Sequence, residues 1–389
     1  MTVAREAVDG LPVLALNAGS SSLKFGLYRA HEKSADIAFS GEIEYAGDGS
    51  GTLSVDDAKG RRLKTDPVSD REPRHAVECI RRLLAELAAP APCAIGHRIV
   101  HGGMQVRRHC LIDPQVMHQL EAASAFAPLH VPPALALVHA MQLAYPSTPQ
   151  IACLDTAFHA DLPEAARTLP LPRELREQGI QRYGFHGLSC ESIVRQLDAG
   201  LPPRLVIAHL GSGASVTAVA SGKSIDTSMG MTPSGGLIMA TRCGDLDPGV
   251  LAYLMRERNY DSAGIEELID HRSGLLGISG LGNDMRELHV ASATHPDAKL
   301  AIDMFCDSVR KHIAAMAAAL GGIDMLVFTG GIGEHDAVVR EAVCEGLSWM
   351  GLTSPGIPAG CRVRVLRTHE EQQIAIHAAA LSREAGVGR

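Results

Sequence analysis

The sequence predicts an α/β protein built from two similar lobes, and three observations carry that reading. Apolar strand-like runs alternate with helix-period segments along the chain, which is the pattern of α/β folds. A strand, Gly/Ser bend and second strand, LPVLALNAGSSSLKFGLY (Leu11 to Tyr28), returns as RLVIAHLGSGASVTAVA (Arg204 to Ala220), with Gly19 aligned to Gly211 and Ser20 to Ser212. Such an echo points to duplication, each lobe opening on the same hairpin. The chain has 389 residues, enough for two or three domains at roughly 150 residues each.

The elements follow in order. Pro73 to Ala89 has helical periodicity, with Val77, Ile80, Leu83, Leu84 and Leu87 on one face. Ala94 to Gly103 (AIGHRIVHGG) reads as a short strand entering a Gly turn, and Pro114 to Ala125 and Pro133 to Ala144 read as helices around the Pro-rich FAPLHVPP. Ile151 to His159 (IACLDTAFH) is a buried strand ending in polar groups. In the second half Ala301 to Leu320 is a long helix, and Met325 to His335 (MLVFTGGIGEH) runs strand, Gly turn, helix start. Asp226 to Asp247, rich in Gly, Ser, Thr and Met, has no clear period. A long irregular stretch in a compact enzyme is usually a functional loop.

Composition removes several classes. Hydrophobic residues are 46% and charged residues 21% of the chain, as in an ordinary soluble protein. With 36 Lys+Arg against 44 Asp+Glu the net charge is −8, so no basic surface draws the chain to nucleic acid. The longest apolar stretch, Ile313 to Ile323, has 11 residues, and a membrane span needs about 20. No basic n-region and long apolar stretch mark a secretory signal. The nine cysteines are odd in number and never spaced C-x-x-C. They fit small buried hydrophobes in a reducing cytoplasm, not a disulfide framework or a zinc site.

Three turns, NAGSSSLK, HLGSGAS and GGIGE, place backbone N–H groups after apolar strands, where an anion can sit. Taken singly, each is also a tight turn that needs Gly. None is a Walker A or a dinucleotide GxGxxG motif. Together they fit a nucleotide held by two related lobes.

The segments LNAGSSSLKF, GHRIVHGG, APLH, DTAFH, RYGFHG, HLGSGAS, DTSMGMTP, TRCGDLDPG, GGIGE and THEE occur in that order from about Leu14 to Ile376. Their sequence and order resemble the acetate kinases, within the acetate and sugar kinase, actin and Hsp70 superfamily. The resemblance implies two RNase H-like lobes with an active-site cleft between them. It places the first lobe at residues 1–155, joined by a C-terminal helix over 372–389, and the nucleotide-binding lobe at 156–371. The implied reaction is reversible transfer of the γ-phosphoryl of ATP to acetate, with ADP as the other product; propionate is the alternative acceptor. An actin-like ATPase switch is the rival from another class, but it needs no paired arginines beside an apolar pocket. Every reacting group is anionic, so catalysis rests on positioning and cationic stabilisation.

The resemblance also assigns residues. Arg98 binds the substrate carboxylate and Arg242 the transferring phosphoryl, both by bidentate guanidinium contacts. His186 stabilises the transition state and His130 supports it. Asp155 is the catalytic carboxylate, at a strand end where α/β proteins place ligands. It has three open roles: proton transfer, orientation of an arginine, or holding magnesium. Proton abstraction is unnecessary, since acetate is already ionised at neutral pH. Val100, Leu129, Phe185 and Pro233 form the pocket for the acyl tail. Asn17 and Glu370 hold Mg²⁺, with Mn²⁺ as a substitute, and Lys24 reaches the terminal phosphate. The nucleotide lies along His209, Leu210, Gly211, Ser212 and Gly213, along Asp284, Met285 and Arg286, and along Gly330, Gly331, Ile332, Gly333 and Glu334. A homodimer is implied as well.

The chain departs from the family pattern in four places. Ser212 replaces Asn; Val131 and Ala134 replace two polar residues; Leu188 and Cys190 follow His186; and Ser234, Gly235, Ala240 and Cys243 alter the irregular loop. These changes bear on acyl preference and not on the reaction class. The segment before Leu11 exceeds what the family needs and reads as a disordered tail.

Overall fold

The computed structural model describes residues 10–19, 22–352 and 361–386. The N-terminal tail and Ser20 of the first turn lie outside the described residues. The chain separates into two compact units, Met1–Ala157 with His369–Arg389, and Phe158–Thr368.

The first unit carries eight strands: β1 (Leu11–Ala18), β2 (Ser22–Ala30), β3 (Ala35–Tyr45), β4 (Gly51–Asp57), β5 (Arg62–Val68), β6 (Ala94–Ile99), β7 (Cys110–Leu111) and β8 (Gln150–Leu154). Their order across the sheet is β5-β4-β3-β2-β1-β6-β8-β7. β1 pairs antiparallel with β2 and parallel with β6, and β6 pairs parallel with β8. Val13 to Leu16 are all essentially buried, because a central strand covered on both faces has no solvent side to alternate toward. One face packs on the helix Pro73–Glu86 through Ile80, Leu83 and Leu84, against Leu14, Phe25 and Leu27. The other receives the C-terminal helix Glu370–Glu384. That helix approaches closely: a Cβ on Gly96 of β6 would fall 2.5 Å from Ile374 Cγ2, so only glycine fits there.

The second unit carries β9 (Arg204–Leu210), β10 (Ala214–Ala220), β11 (Lys223–Thr227), β12 (Met325–Thr329) and β13 (Arg362–Val365), in the order β11-β10-β9-β12-β13. Three antiparallel strands are followed by β12, parallel to β9, and β13, parallel to β12. The arrangement β3-β2-β1-β6-β8 in the first unit has the same order and the same senses. The duplicated α/β lobe expected from the repeated hairpin is therefore present. On one face the helix Pro296–Leu320 buries Ala298, Ala301, Phe305, Val309, Ile313 and Met316, a three-to-four residue spacing. Cys190, Ile193 and Leu197 of the helix Gly187–Leu197 pack against Leu205, Ile207 and Val327.

Three details differ from the sequence reading. The strand expected over Ile151 to His159 ends at Leu154, and Ala157–His159 is a 3-10 turn. The Gly turn expected after β12 is confined to Gly330, at φ +78°, where the helix Gly330–His335 already begins. Residues 35–68, which the sequence reading leaves unassigned, form β3 to β5.

Candidate active site

In the first unit β1, β6 and β8 run parallel, so their C-terminal ends lie on one side of the sheet, where α/β proteins carry ligands. Asn17 sits near the end of β1, Arg98 near the end of β6 and Asp155 just past β8. Arg98 donates from Nε (2.9 Å) and Nη2 (2.6 Å) to Asp155 Oδ2, and from Nη1 (3.1 Å) to Asn17 Oδ1. These three bonds leave two of the five guanidinium N–H groups for a ligand. Asp155 is 1% exposed. Burial alone would weaken the Arg98 cation, but Asp155, Glu370 and Glu371 outweigh it and raise its pKa.

The C-terminal helix supplies the last two groups. Glu370 and Glu371 occupy its first turn, where the helix dipole favours acids. Asn17 Nδ2 donates to Glu370 Oε2 at 2.9 Å and to Glu371 Oε1 at 2.8 Å. Burial and the neighbouring Glu370 push the Glu371 carboxyl up, opposed by the Asn17 bond and by Lys24. The set therefore offers three carboxylates and an amide oxygen against one guanidinium, an excess of two negative charges when all are ionised. Oxygen donors and that charge fit a hard divalent cation such as Mg²⁺.

Other groups expected on this unit differ in exposure. Val100 is 6% exposed and Leu129 is 51% exposed. His130 stands at the N-cap of the helix Val131–Ala144. Lys24 pairs with Glu42 at 3.9 Å and is half exposed.

The second unit gathers a different set. His186 takes the left-handed conformation (φ 57°) at the N-cap of the helix Gly187–Leu197. Its Nδ1 lies 2.9 Å from Ser215 Oγ on β10, and its ring stacks on His209 with centroids 4.2 Å apart. His209 Nδ1 meets Ser189 Oγ at 2.8 Å, and Ser189 Oγ accepts from Thr368 Oγ1. Beneath His186 lies the β9–β10 turn. A Cβ placed on Gly213 would be 3.2 Å from His186 Nε2 and 3.4 Å from Arg242 Nη1. The imidazole and the guanidinium therefore converge over a backbone that carries no side chain. Arg242 is steadied by Pro233 O and Met239 Sδ. Phe185 is 1% exposed and Pro233 is buried. Both are therefore core-like walls.

The irregular loop beside Arg242 is tied down. Arg182 donates to Thr227 O, Ser228 O, Met229 O and Ala166 O. Tyr183 N and Gly184 N both reach Gly230 O, and Ala240 N reaches Ser212 O.

The nucleotide-type turns divide in character. Leu210 is fully buried. Gly211 N closes on Gly213 O at 3.0 Å across Ser212. Gly330 has φ +78°, and a Cβ there would meet Leu210 O at 2.7 Å. Gly331, Ile332 and Gly333 continue that helical turn. Glu334 Oε1 accepts from Gly330 N, Thr368 N and Thr329 Oγ1, so its carboxylate acts within the protein as a staple. Asp284 caps the helix Met285–Ala291 and pairs with Arg286. The Arg286 hydrogen bond holds its carboxyl down at about 2. Met285 is buried while Arg286, Glu287, Val290, Ala291, Thr294 and His295 line an open cavity.

The chain matches the model of the acetokinase family over residues 12–359. It is 44% identical over 352 residues to an acetate kinase of Rhodopseudomonas palustris, covering 88% of this chain and 87% of that protein. The chain belongs to the acetokinase family. Among solved structures of that family, the acetate kinase of Porphyromonas gingivalis superposes with a TM-score of 0.82 at 36% identity, covering 95% of this chain and 99% of the other. A propionate kinase from Francisella tularensis superposes at 0.86 with 33% identity, over 95% and 100%. Against this family background Glu371 and Ser215 are contacts that the residue assignments leave out. Glu371 has a visible signal, a second acid beside Glu370 at a helix start. Ser215 has none, since one hydroxyl on an alternating strand looks like any other.

Proposed function

We propose that the chain moves the γ-phosphoryl group of ATP to the carboxylate of acetate, forming acetyl phosphate and ADP. One carboxylate oxygen bonds to phosphorus as the bond to the ADP oxygen breaks, and no proton changes hands. The observation that carries the reading is the convergence of His186 Nε2 and Arg242 Nη1 over Gly213. Two nitrogens on rigid supports suit the equatorial oxygens of a transferring phosphoryl group.

In this reading Arg98 holds the acceptor carboxylate through its two remaining N–H groups. Asp155 orients Arg98 through the two bonds to its Oδ2, and no base is needed, because acetate is already ionised at neutral pH. Ser215 holds the His186 ring through Nδ1 at 2.9 Å; in the tautomer this reaction calls for, its hydroxyl donates to Nδ1 and the ring proton sits on Nε2, toward the phosphoryl oxygens. Glu370 and Asn17, with Glu371 beside them, would hold a Mg²⁺ ion, which would supply charge neutralisation for the phosphates. Gly211 to Gly213 and Gly330 to Gly333 offer backbone N–H groups to the phosphates, and Asp284 to Arg286 are assigned to the nucleotide by the family resemblance. Val100 and Leu129 of the first unit and Phe185 and Pro233 of the second are the residues assigned to the acyl tail by the family resemblance.

Propionate is the second acceptor, favoured by the propionate kinase likeness. An apolar wall separates acids differing by one methylene by only about 1–3 kcal/mol. Hydroxylamine trapping of the acyl phosphate with MgATP and acetate, propionate or butyrate tests both readings. Trapped product with acetate is expected. ATP hydrolysis indifferent to added acid would overturn the phosphotransferase. The protein is proposed to be a cytoplasmic homodimer. The helix Pro248–Arg258 supports self-association, since none of its residues is buried and Val250, Tyr253 and Met255 stand exposed. Light scattering of the eluting protein decides the mass.

A further inference from the structure

His159 ends the DTAFH segment and takes no part in the reaction as proposed, yet it is 2% exposed and fully engaged. Its Nε2 lies 2.9 Å from Phe185 O, and its Nδ1 lies 2.8 Å from Ser224 Oγ on β11. A carbonyl oxygen only accepts, so Nε2 carries a proton. The neutral ring then has a bare Nδ1, which accepts from the Ser224 hydroxyl. The bonds run one way, from Ser224 through His159 to the carbonyl of Phe185. The next residue is His186.

The backbone that His159 braces is unusual. Gly184 has φ +75°, and a Cβ there would lie 2.7 Å from His159 Cγ and 2.6 Å from Thr227 Cγ2. The imidazole therefore lies directly against that backbone, at a position where glycine alone fits. Two residues later His186 is left-handed at φ 57°. A non-glycine residue held there costs of order 1–3 kcal/mol and persists only when its surroundings fix it. Burial pushes the His159 pKa down to about 4, so near neutral pH the ring keeps the single proton that the Phe185 bond requires.

We propose that His159 is a positioning residue: it clamps the Phe185 carbonyl and so holds His186 with its Nε2 over Gly213. The inference rests on the role of His186 in the proposed reaction, but its structural half does not.

The test uses the full chain with labelled histidine. In His159→Leu the side-chain ¹H–¹⁵N signals of His186, assigned through His186→Gln, should move, and kcat should fall about tenfold or more, as a small misplacement of a reacting group does. KM values for MgATP and acetate should stay within about threefold, because no binding contact is removed. His159→Gln, whose amide N–H can reach Phe185 O, should restore most of kcat. Val343→Ala, a remote core truncation in the same unit, should lower Tm yet leave the His186 signals and kcat intact. If His159→Leu fails to fold, Ser224→Ala carries the test, with the same signals expected to move. Unmoved His186 signals in the folded variant, or the same pattern in Val343→Ala, would overturn the inference. Moved signals with an unchanged kcat would leave the clamp standing and remove His186 from the chemistry.

Discussion

Arg98 and Asp155 stand at the ends of two neighbouring parallel strands and meet through two hydrogen bonds to a single carboxylate oxygen, at 2.6 and 2.9 Å. Asp155 is sealed from solvent and Arg98 nearly so. Removing the arginine therefore does two things at once.

Arg98→Ala should lower kcat by about 10² and also lose about 3–5 kcal/mol of stability, because it strands a buried carboxylate. The double variant Arg98→Ala with Asp155→Ala should regain most of that stability and none of the activity. Urea unfolding beside the hydroxamate assay separates the effects. An Arg98→Ala protein as stable as the parent would show that the pair is not buried in solution.

Gly213→Ala should fold and yet lose about tenfold or more in kcat. The added methyl would sit 3.2 Å from His186 Nε2 and 3.4 Å from Arg242 Nη1, in the space proposed for the phosphoryl group. Steady-state rates with a melting curve test this. Full activity in the alanine variant would place the phosphoryl group elsewhere.

Two cysteines near these residues should be chemically silent. Cys190 is fully buried with its Sγ on Thr217, and burial raises the pKa of Cys243. A thiol kept protonated at neutral pH is a poor nucleophile, and the reaction has no step for one. Cys243→Ser and Cys190→Ser should keep activity within about threefold. Loss of more than about a hundredfold in a folded variant would be incompatible with direct transfer to the carboxylate.

Acid should destabilise the fold before the carboxylates titrate. His97 and His159 are buried, and burial lowers each pKa to about 4. Between the unfolded value of about 6.5 and the folded value, the unfolded chain binds protons that the folded one refuses. Stability is full above that window and falls as pH drops, by about 1.4 kcal/mol per pH unit per histidine. His97 donates from Nε2 to Gln150 Oε1 at 2.7 Å, a bond that His97→Gln can approximate without the charge. Unfolding free energies from pH 7 to 4.5 should fall less steeply in that variant. An unchanged slope would show that His97 is protonated in the folded state.

Glu370→Gln should raise the Mg²⁺ concentration needed for half-maximal activity by about tenfold or more, since second and third oxygen donors rarely compensate a lost carboxylate. Magnesium titration of the activity measures it. An unaltered requirement would remove Glu370 from the metal site.

The α/β class, the repeated hairpin and the order of the Gly turns are all legible in the residues alone. They follow from local signals: apolar runs, Gly/Ser bends and helix periodicity act within a few residues. The signal is weaker over 35–68. There β3 alternates buried Phe39, Gly41 and Ile43 with more exposed neighbours, and the edge strand β5 is largely exposed, so neither has the apolar density that marks β1. Which groups meet is settled by packing. Asn17 touches Glu370 across 353 positions, because the C-terminal helix packs beside Gly96 and presents its first turn to the end of β1. Arg98 finds Asp155 because β6 and β8 are neighbours in the sheet order. Parallel pairing joins strands far apart in sequence, and no local pattern in either strand names its partner. The left-handed turn of His186 likewise comes from long-range contacts. Its residue type alone does not favour that conformation, and it holds there through the Phe185 carbonyl and the ring of a histidine that local sequence reads as ordinary core.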